Sequence, residues 1–305
     1  MQVRTSGILG SGRAFAAMQS RSPGWLWAAR AMLFLWASAI WAQTPDVPFV
    51  PTPPVVVDTM LDLAGVGPGD YVIDLGSGDG RIVIAAAKKR GARGFGVEID
   101  SALIGEARRE ARRQGVDGRV EFKMDDLLQT DISRATVVTM YLYPRLMLAM
   151  RPRLIAELKP GARIVSHEFA MEGWEPDTRI TVPVPDKPYG APSSEVLLWI
   201  VPTDARGVWR WRSVLGTAAA DYEVTLTQEF QKLAGSAVVD ARPAQIEAGA
   251  VRGEEIRFSV TTDAGGRALR HEFRGRVSGD SIRGIVSAEG EDLAWSATRI
   301  RRITQ

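Results

Sequence analysis

The sequence predicts an α/β fold, a mostly parallel sheet flanked by helices, followed by a small all-β domain that is a barrel or a sandwich. Three observations predict it. From Tyr71 to His167, apolar runs of strand type alternate with helix-like segments, which implies parallel strands joined by crossover helices. Beyond residue 206, polar and apolar residues alternate in segments that recur about every twelve residues between Gly, Asp and Ala turns, the mark of an antiparallel meander. Finally, the first apolar run leads into VIDLGSGDGRI at 72–82, where an acid precedes three glycines at alternate positions.

Taken in order, Thr52 with Pro53 and Pro54 predicts a helix start, the threonine capping and the prolines filling the first turn. That helix runs to about Leu63 and stops at Gly65. YVIDL (71–75) predicts the first strand and Asp79 to Lys89 an Ala-rich helix. FGVEI (95–99) predicts the second strand, Ser101 to Gln114 a charged helix capped by Ser101, and VEFKM (120–124) the third strand. ATVVTMYLY (135–143), a helix from Arg145 to Leu158, and ARIVSHEF (162–169) follow. RITVPV (179–184) and SEVLLWIV (194–201) have only a Pro/Gly-rich loop between them and predict an antiparallel pair finishing the sheet. The stretch 170–178 is too short for another crossover helix and predicts an open flank there. Seven alternating segments between 207 and 302 predict the meander, with Arg299, Arg301 and Arg302 on a solvated edge strand.

Residues 1–43 read as a targeting segment, 44–203 as the α/β domain and 206–305 as the β domain. No Asp or Glu precedes Asp46, while Arg4, Arg13, Arg21 and Arg30 lead into the apolar AMLFLWASAIWA at 31–42. That run is short of the roughly 20 residues that span a bilayer, and suits a signal-peptide core with small residues near Ala39 or Ala42 for cleavage. The expectation is an exported, periplasmic protein; a mitochondrial transit peptide or a retained membrane anchor are the alternatives. Membrane contact is expected only through this segment.

Composition narrows the chemistry. A net charge of +2 on 305 residues gives little bulk attraction for phosphate backbones, so no nucleic-acid partner is expected; Arg108, Arg109, Arg112 and Arg113 read as the solvated face of one helix. The chain has no cysteine and only two histidines, His167 and His271. Disulfides, zinc–thiolate sites, cysteine nucleophiles and three-histidine metal sites are therefore excluded, and no metal site is expected.

The glycine turn discriminates among ligands. A dinucleotide register would need glycine at Arg81, and a P-loop would need lysine where Arg81 stands. What remains is acid-x-Gly-x-Gly-x-Gly after the first strand, at the carboxyl end of an open α/β sheet. Glu98 closes the second strand twenty-two residues after Gly76, the place of a ribose-binding acid. Asp125 and Asp126 close the third strand.

The chain resembles the seven-β-strand (class I) S-adenosylmethionine-dependent methyltransferases. It is similar in particular to archaeal protein lysine methyltransferases and those of the mitochondrial ATP-synthase c-subunit. The residues carrying the resemblance are PFVPTP (48–53), DLGSGDGRIVIAA (74–86), GVEID (96–100), VVTMYLYP (137–144), IVSHEF (164–169) and GWEP (173–176). The resemblance implies a Rossmann-like sheet with an antiparallel last strand, S-adenosyl-L-methionine as methyl donor, and protein lysine as acceptor. It implies cofactor contacts from Thr52, Asp74, Gly76, Ser77, Gly78, Gly80, Glu98, Asp125 and Asp126, with Asp126 preferred to Asp125 against the adenine. Tyr141 and Tyr143 line the acceptor channel, strand alternation allowing one of them to face it. His167 is either a base or a structural histidine, and Trp174 a pocket rim or a packing residue. Two other readings remain: an exported binding or scaffold protein keeping a vestigial pocket, and a small-molecule methyltransferase.

Overall fold

The computed structural model describes residues 49–303 except Tyr189, Gly216, Thr217 and Ala264–Gly266; the targeting segment lies outside the described residues. From Val50 onward the chain forms one compact unit.

The first helix, α1 (Pro54–Leu63), starts at its prolines, and its N-cap is Pro53 with no side-chain bond. Thr52 is therefore not the cap; its hydroxyl is drawn instead to His167, 3.2 Å away. β1 (Tyr71–Leu75) leads through the glycine turn to α2 (Arg81–Arg90). This helix begins two residues later than the sequence predicts, because Gly80 at its N-cap is left-handed at φ 77°. β2 (Arg93–Glu98) and α3 (Ser101–Arg113) follow. Asp100, not Ser101, caps α3, its carboxylate accepting from the Ala102 and Leu103 amides. Then come β3 (Val120–Met124), β4 (Val137–Met140) and α4 (Pro144–Glu157). β4 is shorter than predicted, since Tyr143 already serves as the N-cap before Pro144. β5 (Arg163–His167), β6 (Thr178–Pro183) and β7 (Ser193–Ile200) complete the sheet.

The order is β3-β2-β1-β4-β5-β7-β6, parallel except for β7, which runs against both neighbours. The order reverses between β1 and β4, so the loops after them open a crevice at their carboxyl ends. α1, α2 and α3 bury Met60, Val83 and Ile104 on one face of the sheet. On the other, α4 contributes Met147, Met150 and Leu154.

The flank beyond α4 is not open. Trp174, 1% exposed, fills it and stacks on Phe230 with centroids 5.4 Å apart. Phe230 belongs to the turn between β9 (Ala218–Glu229) and β10 (Lys232–Val239), strands of the second domain. Beside it, Gln231 accepts from Trp174 Nε1 (2.8 Å) and donates to the Glu175 carbonyl (2.9 Å). A barrel turn thus supplies the cover that a crossover helix would otherwise give, and Trp174 is a packing residue.

That second domain resolves the choice between barrel and sandwich. β8 (Gly207–Leu215), β9, β10, β11 (Arg242–Arg252), β12 (Glu255–Asp263), β13 (Ala268–Ser278), β14 (Ser281–Ala288) and β15 (Glu291–Arg301) form a meander that closes β15 on β8. Closure removes the edge the sequence predicts. Arg299 is buried over the Trp209 ring and donates to the Asp204, Arg206 and Gly279 carbonyls. β11 is the strand that alternation misses: its register shifts between Glu247 and Ala250 around left-handed Ala248, which breaks the period of two. The barrel is filled by Trp211, Tyr222, Phe258, Phe273 and Trp295.

Candidate functional site

Val97 O organises the turn after β1 by accepting from both the Gly76 and Ser77 amides, at 2.9 and 2.8 Å. Gly76, Gly78 and Gly80 all have positive φ. At Gly80 the requirement is doubled, since a Cβ there would lie 2.5 Å from the Phe122 ring. Ser77 packs against Gly96 of β2, where a Cβ would come within 2.4 Å of its hydroxyl.

Asp74 is 2% exposed at the end of β1. Thr139 stands beside it in register on β4 and donates its hydroxyl to Oδ1 at 2.7 Å. Burial, with the nearby Asp79 and Glu98 carboxylates, pushes the Asp74 carboxyl up to about 7 despite the Thr139 bond. Its Oδ2 and the Ser77 hydroxyl are buried with no partner. An orphaned carboxylate oxygen among other acids is the receptor for a cation that donates hydrogen bonds.

Glu98 closes β2 with its carboxylate folded over the turn, Oε2 accepting from the Gly78 amide (3.0 Å) and Oε1 from Ile99 N (2.8 Å). The Asp125 amide donates to Glu98 O, which brings the end of β3 alongside. Asp125 accepts from Asp126 N, while the carboxylate of Asp126 accepts from Leu128 N and Gln129 Nε2. Both acids therefore brace the turn after β3. Around them Ile99 and Met124 leave apolar side chains 63% and 65% exposed, an apolar rim beside acids.

The other side of the crevice is aromatic. His167 at the end of β5 is fully buried, its Nδ1 bonded with Thr52 Oγ1 and its Nε2 with Ser194 Oγ (3.0 Å). Burial pushes its imidazole down to about 4, so it is neutral near pH 7. The Tyr141 ring lies 4.1 Å from the His167 ring. Tyr141 and Tyr143 both pack on Phe169, at 6.1 and 6.5 Å. Strand alternation does not separate the two tyrosines, because β4 ends at Met140 and both lie on the irregular segment beyond it. Arg81 ties the two sides together, donating to the Thr52 carbonyl (2.9 Å) while gripping Asp79.

The structure thus gathers Thr52, Asp74, Ser77, the glycines, Glu98, Asp125 and Asp126 along the carboxyl ends of β1, β2 and β3, with Tyr141, Tyr143 and His167 across from them. Sequence reasoning missed Thr139, Ser194, Phe169 and Arg81. Thr139 carries a signal, being the only polar residue in the VVTM strand.

Known proteins resemble the chain over its α/β domain. The ANTKMT methyltransferase domain family matches residues 74–178. A protein-lysine N-methyltransferase of Saccharolobus islandicus is 48% identical over 142 residues, 46% of this chain and 88% of that protein. The human lysine N-methyltransferase of the ATP synthase c-subunit is 37% identical over 131 residues, 43% of this chain; the match spans only 55% of that protein. Among solved structures, an RNA methyltransferase from Salinibacter ruber in complex with S-adenosyl-L-homocysteine is 47% identical, covering 51% of this chain and 95% of that one with a TM-score of 0.47. Fold and site together define a class I S-adenosylmethionine-dependent methyltransferase. Within that class the chain belongs to the family of the archaeal protein-lysine N-methyltransferase.

Proposed function

We propose that this enzyme methylates lysine side chains of protein, and that the residues gathered at the crevice divide between donor and acceptor. The observation that carries the donor half is the buried, unpartnered Asp74 Oδ2 beside the unpartnered Ser77 hydroxyl. Asp74 receives the donor's ammonium group, and the Gly76–Gly80 backbone lies against its methionyl chain. Glu98 takes the ribose hydroxyls, giving up its bonds to the turn. Asp125 or Asp126 would meet the adenine, beside the exposed Ile99 and Met124; both acids spend both carboxylate oxygens on the turn after β3, and Asp125 is the more exposed of the two.

Bound S-adenosylmethionine supplies an electrophilic methyl group for in-line displacement. The chain's own contribution is alignment and desolvation. Tyr141, Tyr143 and Phe169 form an aromatic wall that keeps an acceptor amine from full hydration, which disfavours its charged form and lowers a pKa that is about 10.4 in water. His167 acts as a positioning residue. Its two ring nitrogens are engaged with Thr52 and Ser194, so it holds the segment before α1 against β5 rather than taking a proton. The relatives named for protein lysine support this acceptor. The basic, apolar residues 1–43 support an exported enzyme, which a reporter fusion to that segment tests.

The functional test uses the full chain, radiolabelled S-adenosylmethionine and a bacterial protein extract, followed by acid hydrolysis. Label in methylated lysine is expected. Label confined to RNA or to small molecules would overturn the lysine reading, and no measurable binding of S-adenosylhomocysteine would overturn the methyltransferase reading itself.

A further inference from the structure

The carboxyl end of β5 carries an ion pair that the proposed donor site does not use. Glu168 has φ 67°, in the left-handed region, and the Phe169 amide reaches back over it to the His167 carbonyl (2.9 Å) in a γ-turn. A glutamate held there is strained and persists only where its surroundings demand it. The turn aims the side chain to one place: Oε1 lies 3.7 Å from His167 Nε2, on the ring that Tyr141 covers, and forms an ion pair with Lys187. Lys187 also donates to the Ser193 carbonyl at 2.9 Å.

Lys187 belongs to the β6–β7 loop, 184–192. Its side chain is 6% exposed. By contrast Pro185, Asp186, Pro188, Gly190, Ala191 and Pro192 are exposed. Among the described residues of the loop, Val184 is buried at its start and the Lys187 side chain turns inward from its exposed outer part. The Lys187 ammonium rests on a carboxylate next to the aromatic cluster of Tyr141, Tyr143 and Phe169, the chemistry an acceptor lysine requires.

We propose that Glu168 is the carboxylate that docks the acceptor's ammonium, and that the Lys187 ammonium holds this place in the free enzyme and is displaced when an acceptor enters. The inference rests on the lysine reading above. Exchange of one alkylammonium for another keeps the carboxylate paired throughout, which avoids the penalty of a half-buried charge left alone. Glu168 is thereby a specificity-determining residue: it favours a primary ammonium over neutral acceptors at docking, and the amine leaves this carboxylate for the aromatic wall before its charged form is disfavoured.

The test uses the full chain saturated with S-adenosylhomocysteine and titrates n-butylammonium, a lysine side-chain probe, by NMR at millimolar concentration. Lys187→Met removes the internal competitor and should tighten binding about tenfold. The double variant Glu168→Gln with Lys187→Met, which leaves no unpaired charge, should lose that gain while melting close to wild type. Equal affinity in the Lys187→Met and double variants, or no binding to any of the three proteins, would overturn the proposal. A purely structural Lys187 predicts binding unchanged or weakened in Lys187→Met, which also overturns it. S-adenosylhomocysteine binding is measured first on each protein. If it is absent, the methyltransferase reading falls and this inference with it; if it is present and butylammonium ignores Glu168, only this inference falls.

Discussion

Replacing Asp74 with asparagine separates what the site costs the empty protein from what it contributes to binding. The carboxyl is buried, bonded by Thr139 at one oxygen and orphaned at the other. Its pKa rises from the ordinary 3.8 to about 7, chiefly through burial. The folded chain therefore holds this proton more tightly than the unfolded chain does. The resulting stability is complete below 3.8 and is lost as pH rises through about 7. At about 1.36 kcal/mol per pH unit, the ionised group costs the empty protein on the order of 4 kcal/mol at pH 8. Asparagine keeps an acceptor for Thr139 and removes the charge. Asp74→Asn should therefore raise the melting temperature of the empty protein at pH 8, by about 2–4 °C for each kcal/mol recovered, with little change at pH 4. Binding moves the other way. Calorimetry with S-adenosylhomocysteine should show affinity weakened at least tenfold at pH 8, and in wild type a loss of affinity as pH falls below about 7 that the variant lacks. Wild-type affinity in the variant, or a melting temperature no higher than wild type at pH 8, would refute the assignment of Asp74 as the cation receptor.

Three further outcomes follow from the same geometry. Gly80→Ala forces a Cβ to 2.5 Å from the Phe122 ring at φ 77°, so it should destabilise by about 1–3 kcal/mol in urea unfolding and weaken cofactor binding; a neutral result would mean the turn is not constrained. His167→Asn removes a base whose pKa falls from 6.5 to about 4 through burial. A group depressed in this way stabilises above 6.5 and loses that contribution as pH falls through 4, so the variant should melt with less acid sensitivity between those values. Trp174→Ala strips the Phe230 stack and the Gln231 bond and should cost about 3–5 kcal/mol. Denaturant unfolding should then resolve two transitions, sheet and barrel; a single transition at the wild-type midpoint would show that Trp174 does not couple them.

Much of the donor side was legible in the sequence because it depends on local grammar. An apolar strand, an acid and alternate glycines specify a turn whether or not its surroundings are known, and Arg81 excludes two rival ligands by identity alone. Acids ending successive strands were readable for the same reason, since parallel strands bring their carboxyl ends to one rim. The class of fold came from periodicity, which local sequence carries. The acceptor side was less legible. Whether Tyr141 and Tyr143 face apart or together depends on where β4 stops, and Tyr143 ends it by capping α4. The bond between Thr52 and His167 spans 115 positions, and that of Trp174 with Gln231 spans 57; nothing in either neighbourhood announces its partner.

The sequence by itself determined the glycine turn, its row of acids and the succession of strands and helices in the α/β domain, because each follows from backbone preference and apolar spacing within a few residues. Only the tertiary structure decided that the β domain closes into a barrel, that one of its turns covers the sheet where a helix is missing, and that a lysine lies on Glu168. Those depend on which distant surfaces are apolar enough to leave water together, and that is a property of the folded chain.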